Sequence, residues 1–171
     1  RLEDTDQKRL IEGSGESLIN ELHAFGVDPD EGYLGDHEAG IYGPYCQSNR
    51  ENLYRIVIKE LMKQGRVYPC FCTPDDLSEL RSKQEANKEN PGYYGEYAKC
   101  RNLSVDEAIQ KIENGEHYVL RFKSNGSYLN RIEINDMVRG QLELAQNDQD
   151  IVVLKSDGLP TYHFAHLVDD H

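Results

Sequence analysis

The spacing of the apolar residues changes along this chain, and that change limits the folds it can adopt. Residues 14–25 and 49–65 place apolar side chains three and four positions apart, which predicts two amphipathic helices. In residues 117–134 the spacing becomes two around a Ser-Asn-Gly turn, which predicts an antiparallel pair of strands. In residues 151–156 the first four side chains form a continuous apolar run, which is typical of a strand buried on both faces. Helices and strands that alternate at both ends, with a different pattern between them, predict an α/β chain with an α+β insertion.

Turn and capping residues define the shorter elements. Thr73 followed by Pro74 predicts the first residues of a helix, and Ser104 with Glu107 predicts a capping box. The helix that begins after Ser104 is expected to bury three apolar side chains, namely Ala108, Ile109 and Ile112. The polar residues 84–99, which include two glycines and three tyrosines, are expected to form an insertion outside the core.

Composition excludes several classes of protein. The 171 residues suffice for one domain, or for a large and a small one, and they contain no apolar run of the roughly 20 residues that a membrane helix needs. The opening RLEDTDQKRL is acidic, whereas a signal peptide begins with basic residues and continues with an apolar run. Cys70 and Cys72 are too close together for a disulfide framework. We therefore expect a protein of the reducing cytoplasm.

The formal net charge of −12 is unevenly distributed. Residues 1–51 contain twelve acidic side chains against four Lys and Arg, a charge of −8, so residues 52–171 carry the remaining −4. A nucleic-acid-binding protein usually has the opposite sign. Contact with RNA would therefore have to be local, through a cluster such as Arg121, Lys123 and Arg139. The same side chains suit the solvated faces of strands and loops equally well.

Three of the four cysteines could hold a metal ion. Cys70 and Cys72 lie on one face of a predicted strand, and Cys100 follows a tyrosine-rich loop. Three thiolates satisfy most of a tetrahedral zinc site, but Asn102 stands where a histidine would complete a C-x-C…C-x-H pattern. The candidates for the fourth ligand are Tyr97, His117 and a water molecule. The alternative is that the cysteines are free and act as small buried hydrophobes.

Polar residues at the two ends could bind a small molecule. In the opening RLEDTD, Glu3 offers a carboxylate that can accept hydrogen bonds from an ammonium group. Tyr162 and His166 lie one turn apart on a predicted helix over residues 161–168, so a phenol and an imidazole share one face. The alternatives are a solvated acidic turn and an aromatic core face. The acidic residues also suit a metal-dependent hydrolase, whose ligands would be Glu3, Asp4, Asp6, Asp169, Asp170 and His171.

Four segments together resemble one enzyme family. RLEDTDQKR resembles the R-I/L-E-D-T-D-x-x-R segment of glutamyl-tRNA synthetases, which are class I aminoacyl-tRNA synthetases. GPYCQSNRENLY resembles their G-x-Y-x-Q-S-x-R-x-x-x-Y segment, and VYPCFCTPDDLSELR resembles A-Y-x-C-F-C-T-x-E-E-L. KSDGLPTYHFAHLVDDH resembles K-S-D-G-x-P-T-Y-H-x-A-x-x-V-D-D-H. The segments keep the family's order and spacing along essentially all 171 residues.

The resemblance implies a fold and a division into domains. Residues 1–65 and 151–171 would belong to a Rossmann-like catalytic domain. Residues 66–150 would form the α+β connective-peptide insertion that holds the acceptor end of tRNA. The family's ATP-binding motifs of H-I-G-H and K-M-S-K-S type do not occur in the 171 residues, so we expect an internal fragment that is inactive by itself.

The resemblance also implies substrates and site residues. The complete enzyme would be a monomer that joins glutamate to tRNA with ATP and Mg²⁺. Glu3 would contact the substrate amino group, Tyr162 would contact glutamate, and His166 would line the same pocket. Part of the family binds zinc, and its ligands match Cys70, Cys72, Cys100 and, as the tyrosine ligand of some relatives, Tyr97. The alternatives are a glutaminyl-tRNA synthetase, a glutamyl-queuosine tRNA synthetase and a stand-alone RNA-binding or zinc module.

Overall fold

The computed structural model describes residues 1–170, which form two compact units. Unit 1 consists of Arg1–Lys59 together with the segment that starts at Asp157, and unit 2 consists of Glu60–Ser156. Both units combine helices with strands, which confirms the predicted α/β class. None of the described helices is long and apolar enough to cross a lipid bilayer.

Unit 1 is built from helices and a short hairpin. Its elements are α1 (Ser14–Ala24), β1 (Gly32–Tyr33), β2 (Glu38–Ala39), α2 (Glu51–Lys63), whose last turn from Glu60 falls in unit 2, and α5 (Tyr162–Asp169). Helices α1 and α2 confirm the two predicted amphipathic helices. A 3-10 turn, Gln47–Arg50, leads into α2. Leu2 forms an isolated parallel bridge with Cys46, so the opening segment lies beside the residues that precede this turn.

Unit 2 contains a three-stranded antiparallel sheet, a separate hairpin and helices. The sheet has the order β3-β4-β7, and its strands are Val67–Cys70, Val119–Phe122 and Val152–Leu154. The hairpin pairs β5 (Arg131–Asp136) with β6 (Gly140–Ala145). The helices are α3 (Pro74–Ala86) and α4 (Val105–Glu113). Capping boxes begin both helices, at Thr73 and Ser104. The sequence predicts both helix starts and the box at Ser104, and the box between Thr73 and Asp76 is an addition from the structure.

The predicted pairing of strands within residues 117–134 is wrong. Strand β4 pairs with β3, where Val119 lies opposite Cys70, and with β7, whereas β5 pairs with β6. Alternation of apolar residues shows that a strand has a buried face, but it does not identify the partner strand. In β4 the neighbouring side chains of Leu120 and Arg121 are both buried, as expected of a central strand that is covered on both faces.

Strand β7 belongs to unit 2, and the domain division drawn from the sequence stays a prediction. The pairing of β7 with β4, in which Leu154 lies opposite Leu120, places residues 151–156 in unit 2. The division drawn from the sequence assigns these residues to the catalytic segment 151–171. The predicted strand buried on both faces is not found: in β7 Val153 is buried, whereas Val152 and Leu154 are partly exposed, as suits the edge strand of a small antiparallel sheet.

The core of unit 2 surrounds its cysteines. The buried side chains of this core are Cys70, Leu80, Tyr93, Ala98 and Cys100. The expectation that residues 84–99 lie outside the core is therefore wrong. Gln84 shows how a polar sequence folds inward, because its fully buried carboxamide donates to the Gly92 carbonyl at 2.9 Å and accepts from the Gly92 N–H at 2.8 Å. Hydrogen bonds from a side chain to backbone groups cannot be predicted from the spacing of polar and apolar residues.

Helix α4 has no buried residue. Ile109 and Ile112 are 46% and 41% exposed, so the expectation that this helix packs its apolar stripe into the core is wrong. An apolar stripe shows which face of a helix is apolar, but it does not show whether another element packs against that face.

Candidate functional site

A buried carboxylate, that of Asp169, lies at the centre of a polar network in unit 1. Its side chain has no exposed area, and its Oδ1 atom lies 2.8 Å from Nε of Arg50. Oδ2 accepts hydrogen bonds from Gln47 Nε2 at 2.9 Å and from the Tyr54 hydroxyl at 3.0 Å. Nε of Arg1 lies 3.4 Å from the same oxygen. The carboxylate thus joins the first residue, the turn before α2, α2 itself and α5.

This network explains why an anion occupies the end of α5. Asp169 is the last residue of that helix, where the helix dipole disfavours negative charge. The guanidinium groups of Arg1 and Arg50 offset that cost. Burial, followed in size by the hydrogen bond to Asp169, raises the pKa of Tyr54 above its ordinary value, so the phenol stays protonated and continues to donate.

The opening segment is held by backbone and side-chain hydrogen bonds. Leu2 donates its N–H to the Tyr45 carbonyl at 2.9 Å, and its carbonyl accepts from the Gln47 N–H at 3.0 Å. The buried carboxylate of Asp4 accepts from the Ser48 N–H at 2.8 Å and from the Ser48 hydroxyl at 2.5 Å. Glu3 lies between Leu2 and Asp4, so its backbone position is fixed by these hydrogen bonds.

The structure brings Glu3, Tyr162 and His166 together. His166 Nδ1 lies 3.4 Å from Glu3 Oε1, and His166 Nε2 lies 3.0 Å from Asp170 Oδ2. The imidazole stacks on the Tyr162 ring, with centroids 5.5 Å apart and an interplanar angle of 16°. These side chains are about half exposed, so a small polar ligand can reach them. A carboxylate beside a phenol and an imidazole can bind a ligand that has both an ammonium group and hydrogen-bond acceptors.

A polar cavity of about 490 Å³ opens beside the Asp169 network. Its lining residues are Arg1, Glu31, Tyr42, Tyr45, Arg50, Val168 and Asp169. The volume lies within the roughly 300–1,000 Å³ that small-molecule sites occupy. Glu31, Tyr42 and Tyr45 were not predicted from the sequence, because single polar residues in a long loop carry no spacing signal.

The three thiols of unit 2 converge as the sequence predicts. The Sγ atoms of Cys70, Cys72 and Cys100 all lie within 4.8 Å of one another, and those of Cys72 and Cys100 are 3.8 Å apart. A tetrahedral zinc ion with Zn–S bonds of about 2.3 Å separates its sulfur ligands by about 3.8 Å. The thiol geometry therefore fits zinc.

The structure places Tyr93, rather than Tyr97, at the thiols. The Tyr93 hydroxyl lies 3.3 Å from Cys72 Sγ and accepts the Cys100 N–H at 3.0 Å. The Tyr97 hydroxyl instead donates to the carboxylate of Glu89. Both tyrosines belong to one tyrosine-rich loop, and only the path of that loop decides which of them reaches the cluster.

The thiols influence one another's protonation. A hydrogen bond from the Cys100 thiol lowers the pKa of Cys70, and the same bond raises the pKa of Cys100, because its proton is held there. Arg121 and Tyr93 also favour the Cys70 thiolate. Burial raises the pKa of Cys72. The cluster therefore favours one thiolate, which is the form of cysteine that binds metals.

The structure does not present the predicted basic cluster as one exposed patch. Arg121 is only 8% exposed, donates to the Asp150 carbonyl at 2.7 Å and lies 4.1 Å above the Tyr93 ring. Lys123 is partly buried. Arg139 is exposed in the turn between β5 and β6. Of the three predicted RNA contacts, Arg121 is thus turned into the core.

Comparison with known proteins identifies the family. Residues 1–171 match the family described as tRNA synthetases class I (E and Q), catalytic domain. The chain belongs to this synthetase family. The resemblance of the four sequence segments is thereby confirmed.

Synthetases similar to this one cover the whole chain. The glutamate–tRNA ligase of Clostridium beijerinckii is 52% identical over 172 residues, which are 100% of this chain and 31% of that protein. That of Acetivibrio thermocellus is 50% identical, again over 100% of this chain and 31% of the relative. The crystal structure of a glutamate tRNA ligase from Elizabethkingia meningosepticum in complex with its amino acid has a TM-score of 0.85 and 36% identity, over 100% of this chain and 34% of that one. The chain thus spans about a third of the length of these relatives.

The metal-dependent hydrolase alternative has no support in this synthetase chain. The carboxylates of Asp4 and Asp169 are already engaged by hydrogen bonds and guanidinium groups. Within residues 1–170, the group of three or more His, Cys, Asp or Glu side chains whose ligand atoms converge is the cysteine cluster. His171, the last ligand of that hypothesis, lies outside the described residues.

We expect the Asp169→Asn variant of this synthetase to lose on the order of 3–5 kcal/mol in free energy of unfolding, because it leaves the guanidinium of Arg50, whose side chain is 11% exposed, without its counter-charge. Denaturation in urea measures the loss. Asp170→Asn is the matched control, since the Asp170 side chain is 47% exposed and an exposed ion pair contributes about 1 kcal/mol or less. Equal losses for both variants would show that the buried network has no special role in stability.

Proposed function

We propose that the protein carrying this sequence is a glutamate–tRNA ligase, which activates glutamate with ATP and Mg²⁺ and transfers it to the acceptor end of tRNA. The convergence of Glu3, Tyr162 and His166 in unit 1 carries the proposal. The identity of 50–52% with proteins named glutamate–tRNA ligase, over the whole of this chain, supports it. The similarity to a solved glutamate tRNA ligase with its amino acid also supports it.

Each of the three residues has a distinct proposed task in binding glutamate. The carboxylate of Glu3 accepts hydrogen bonds from the substrate ammonium group, which also attracts it by charge. The Tyr162 hydroxyl donates to a substrate oxygen, and its position in the first turn of α5 adds the favourable field of a helix N-terminus for a carboxylate. His166 supports the Tyr162 ring by stacking and faces Glu3 with Nδ1.

We further propose that segment 66–150 holds the tRNA acceptor end, with Lys123 and Arg139 as phosphate contacts. Both residues keep some exposure, which supports this role. Arg121 is buried and is therefore not proposed as a phosphate contact. Few phosphates can be neutralised by two side chains, so binding through them would depend only weakly on salt. The phosphate chemistry of ATP is not assigned to any residue of this chain. The proposed enzyme is a cytoplasmic monomer.

We also propose that Cys70, Cys72 and Cys100 hold a zinc ion, with the Tyr93 hydroxyl as the nearest fourth donor. The thiol separations and the soft ligand set support this site. Bound zinc would fasten β3 to the 3-10 turn Lys99–Asn102, and structural zinc sites contribute folding energy directly. Tyr93 accepts the Cys100 N–H, which holds its oxygen in place beside Cys72.

The pocket predicts that Glu3→Gln and Tyr162→Phe raise the KM for glutamate about 10- to 100-fold. Glu3→Gln removes the negative charge that faces the substrate ammonium group, and Tyr162→Phe removes the hydroxyl that donates to a substrate oxygen. A hydrogen bond to a charged group contributes roughly 1.5–3 kcal/mol. The KM for ATP should change little. The matched controls are Glu12→Gln and Tyr128→Phe, at exposed positions of unit 1 and unit 2. Steady-state aminoacylation of tRNA measures all four variants.

The same assay separates the proposed function from its close alternatives. A glutamate–tRNA ligase charges its tRNA with glutamate and not with glutamine, whereas a glutaminyl enzyme shows the reverse preference. A glutamyl-queuosine enzyme activates glutamate but attaches it to a modified base rather than to the acceptor end. If Glu3→Gln and Tyr162→Phe weaken the use of ATP as much as the use of glutamate, their role is general and structural.

For the metal, we expect about one zinc per chain by elemental analysis of protein purified without chelator. Cys72→Ser and Cys100→Ser should each remove most of the zinc, because the site depends on three soft ligands. Cys46→Ser is the matched control, since Cys46 lies outside the cluster and its loss should leave the zinc content unchanged. A zinc-free protein whose three clustered thiols react freely with a thiol reagent would contradict the proposal.

A further inference from the structure

Arg121 is a buried cation next to the thiol cluster. In the register of β3 and β4, Val119 lies opposite Cys70 and Arg121 lies opposite Tyr68. Residues opposite each other, and residues two apart, share one face of a sheet, and a diagonal neighbour is within reach of a long side chain. Arg121 therefore shares the sheet face of Cys70. Its guanidinium lies 4.1 Å above the ring of Tyr93, the tyrosine whose hydroxyl contacts the thiols.

The backbone, and not a carboxylate, fixes this guanidinium. Arg121 donates to the carbonyl oxygen of Asp150 at 2.7 Å, and the Asp150 N–H donates to the Tyr93 carbonyl at 2.8 Å. The Asp150 carboxylate is bound elsewhere, by Tyr68 at 2.5 Å, by the Ser124 N–H at 2.8 Å and by Arg101 at 3.4 Å. Buried Nε of Arg121 has no hydrogen-bond partner within the described residues.

A positive charge buried in this way costs free energy unless an anion compensates it. Three thiolates around one Zn²⁺ carry a net charge of −1, and cysteine binds metals as thiolate. A guanidinium beside them brings the total to zero. Arg121 therefore supplies the positive charge that balances the zinc–thiolate cluster, and the cluster supplies the negative charge that compensates the buried guanidinium.

We infer that Arg121 is the charge-balancing and positioning residue of the zinc site: it neutralises the buried three-thiolate cluster and holds Tyr93 against it. This inference rests on the zinc binding proposed above. It also gives a function to a residue that the sequence pattern places among the RNA contacts. The planar guanidinium suits the task because it can stack on the tyrosine ring while its N–H groups stay bonded.

The test measures zinc affinity of the full-length protein by competition with a chromophoric chelator, and thiolate coordination by the absorbance of bound Co²⁺. Arg121→Gln should weaken zinc binding about 10- to 100-fold, the range for residues that support metal ligands. Arg121→Lys, which keeps the positive charge, should lose clearly less than Arg121→Gln. Arg101→Gln is the matched control, because Arg101 is also largely buried in unit 2 but pairs with Asp150, and its zinc affinity should stay near that of the wild type.

A second experiment, in the Cys72→His background, distinguishes a role of Arg121 in charge balance from a purely structural role. Cys72→His replaces one thiolate by a neutral ligand, so the remaining zinc site is neutral without Arg121. In that background the loss caused by Arg121→Gln should shrink, whereas a merely structural role would produce the same loss in both backgrounds. If Arg121→Gln does not fold, Arg121→Lys decides: a folded lysine variant that keeps most of the zinc affinity supports charge balance, and a loss of 10-fold or more overturns it.

The outcomes distinguish this inference from the zinc proposal itself. A wild-type protein that binds neither Zn²⁺ nor Co²⁺ overturns both. A wild type that binds zinc, together with a folded Arg121→Gln variant of equal affinity, overturns the role of Arg121 alone. The role of Arg121 is supported if Arg121→Gln weakens zinc binding in the wild-type protein and weakens it clearly less in the Cys72→His background.

Discussion

The buried carboxylate of Asp169 is the constraint on which the arrangement of unit 1 depends. A carboxylate without solvent contact needs counter-charges and donors, and Asp169 takes them from the first residue, from the turn before α2 and from α2. Segments that are far apart in sequence must therefore meet at one point. Each hydrogen bond in this network is also a restraint on the backbone that carries it.

The position of the candidate glutamate pocket follows from that restraint. Arg1 connects Asp169 to the opening segment, and Asp4 attaches the same segment to Ser48. Glu3 lies between these attachments, while Tyr162 and His166 project from the helix that ends at Asp169. The pocket residues are half exposed and could not hold one another in place by themselves, because exposed ion pairs are weak. A buried network that holds partly exposed ligand groups is what precise positioning requires.

Local features were predictable from the sequence, and contacts between distant residues were not. Helices α1 and α2, the helix start at Thr73 and the capping box at Ser104 depend on residues within one or two turns, so their patterns are complete in a short window. Other features depend on contacts between residues that are distant in sequence. They are the partner of β4, the inward path of the loop at Gln84, and the position of Tyr93 rather than Tyr97 at the thiols. Arg121 shows the same limit, because a basic residue on a strand looks solvent-exposed until the register puts it beside thiols and an aromatic ring.

If the Asp169 network positions the candidate glutamate pocket, the Asp169→Asn variant should bind glutamate weakly even when it is folded. Calorimetry at a temperature where circular dichroism shows the variant fully folded gives its affinities for glutamate and for ATP. We expect glutamate binding to weaken by about 10-fold or more, since small displacements of positioning groups are costly, and ATP binding to stay nearly unchanged. A folded variant that binds glutamate as tightly as the wild type would contradict it.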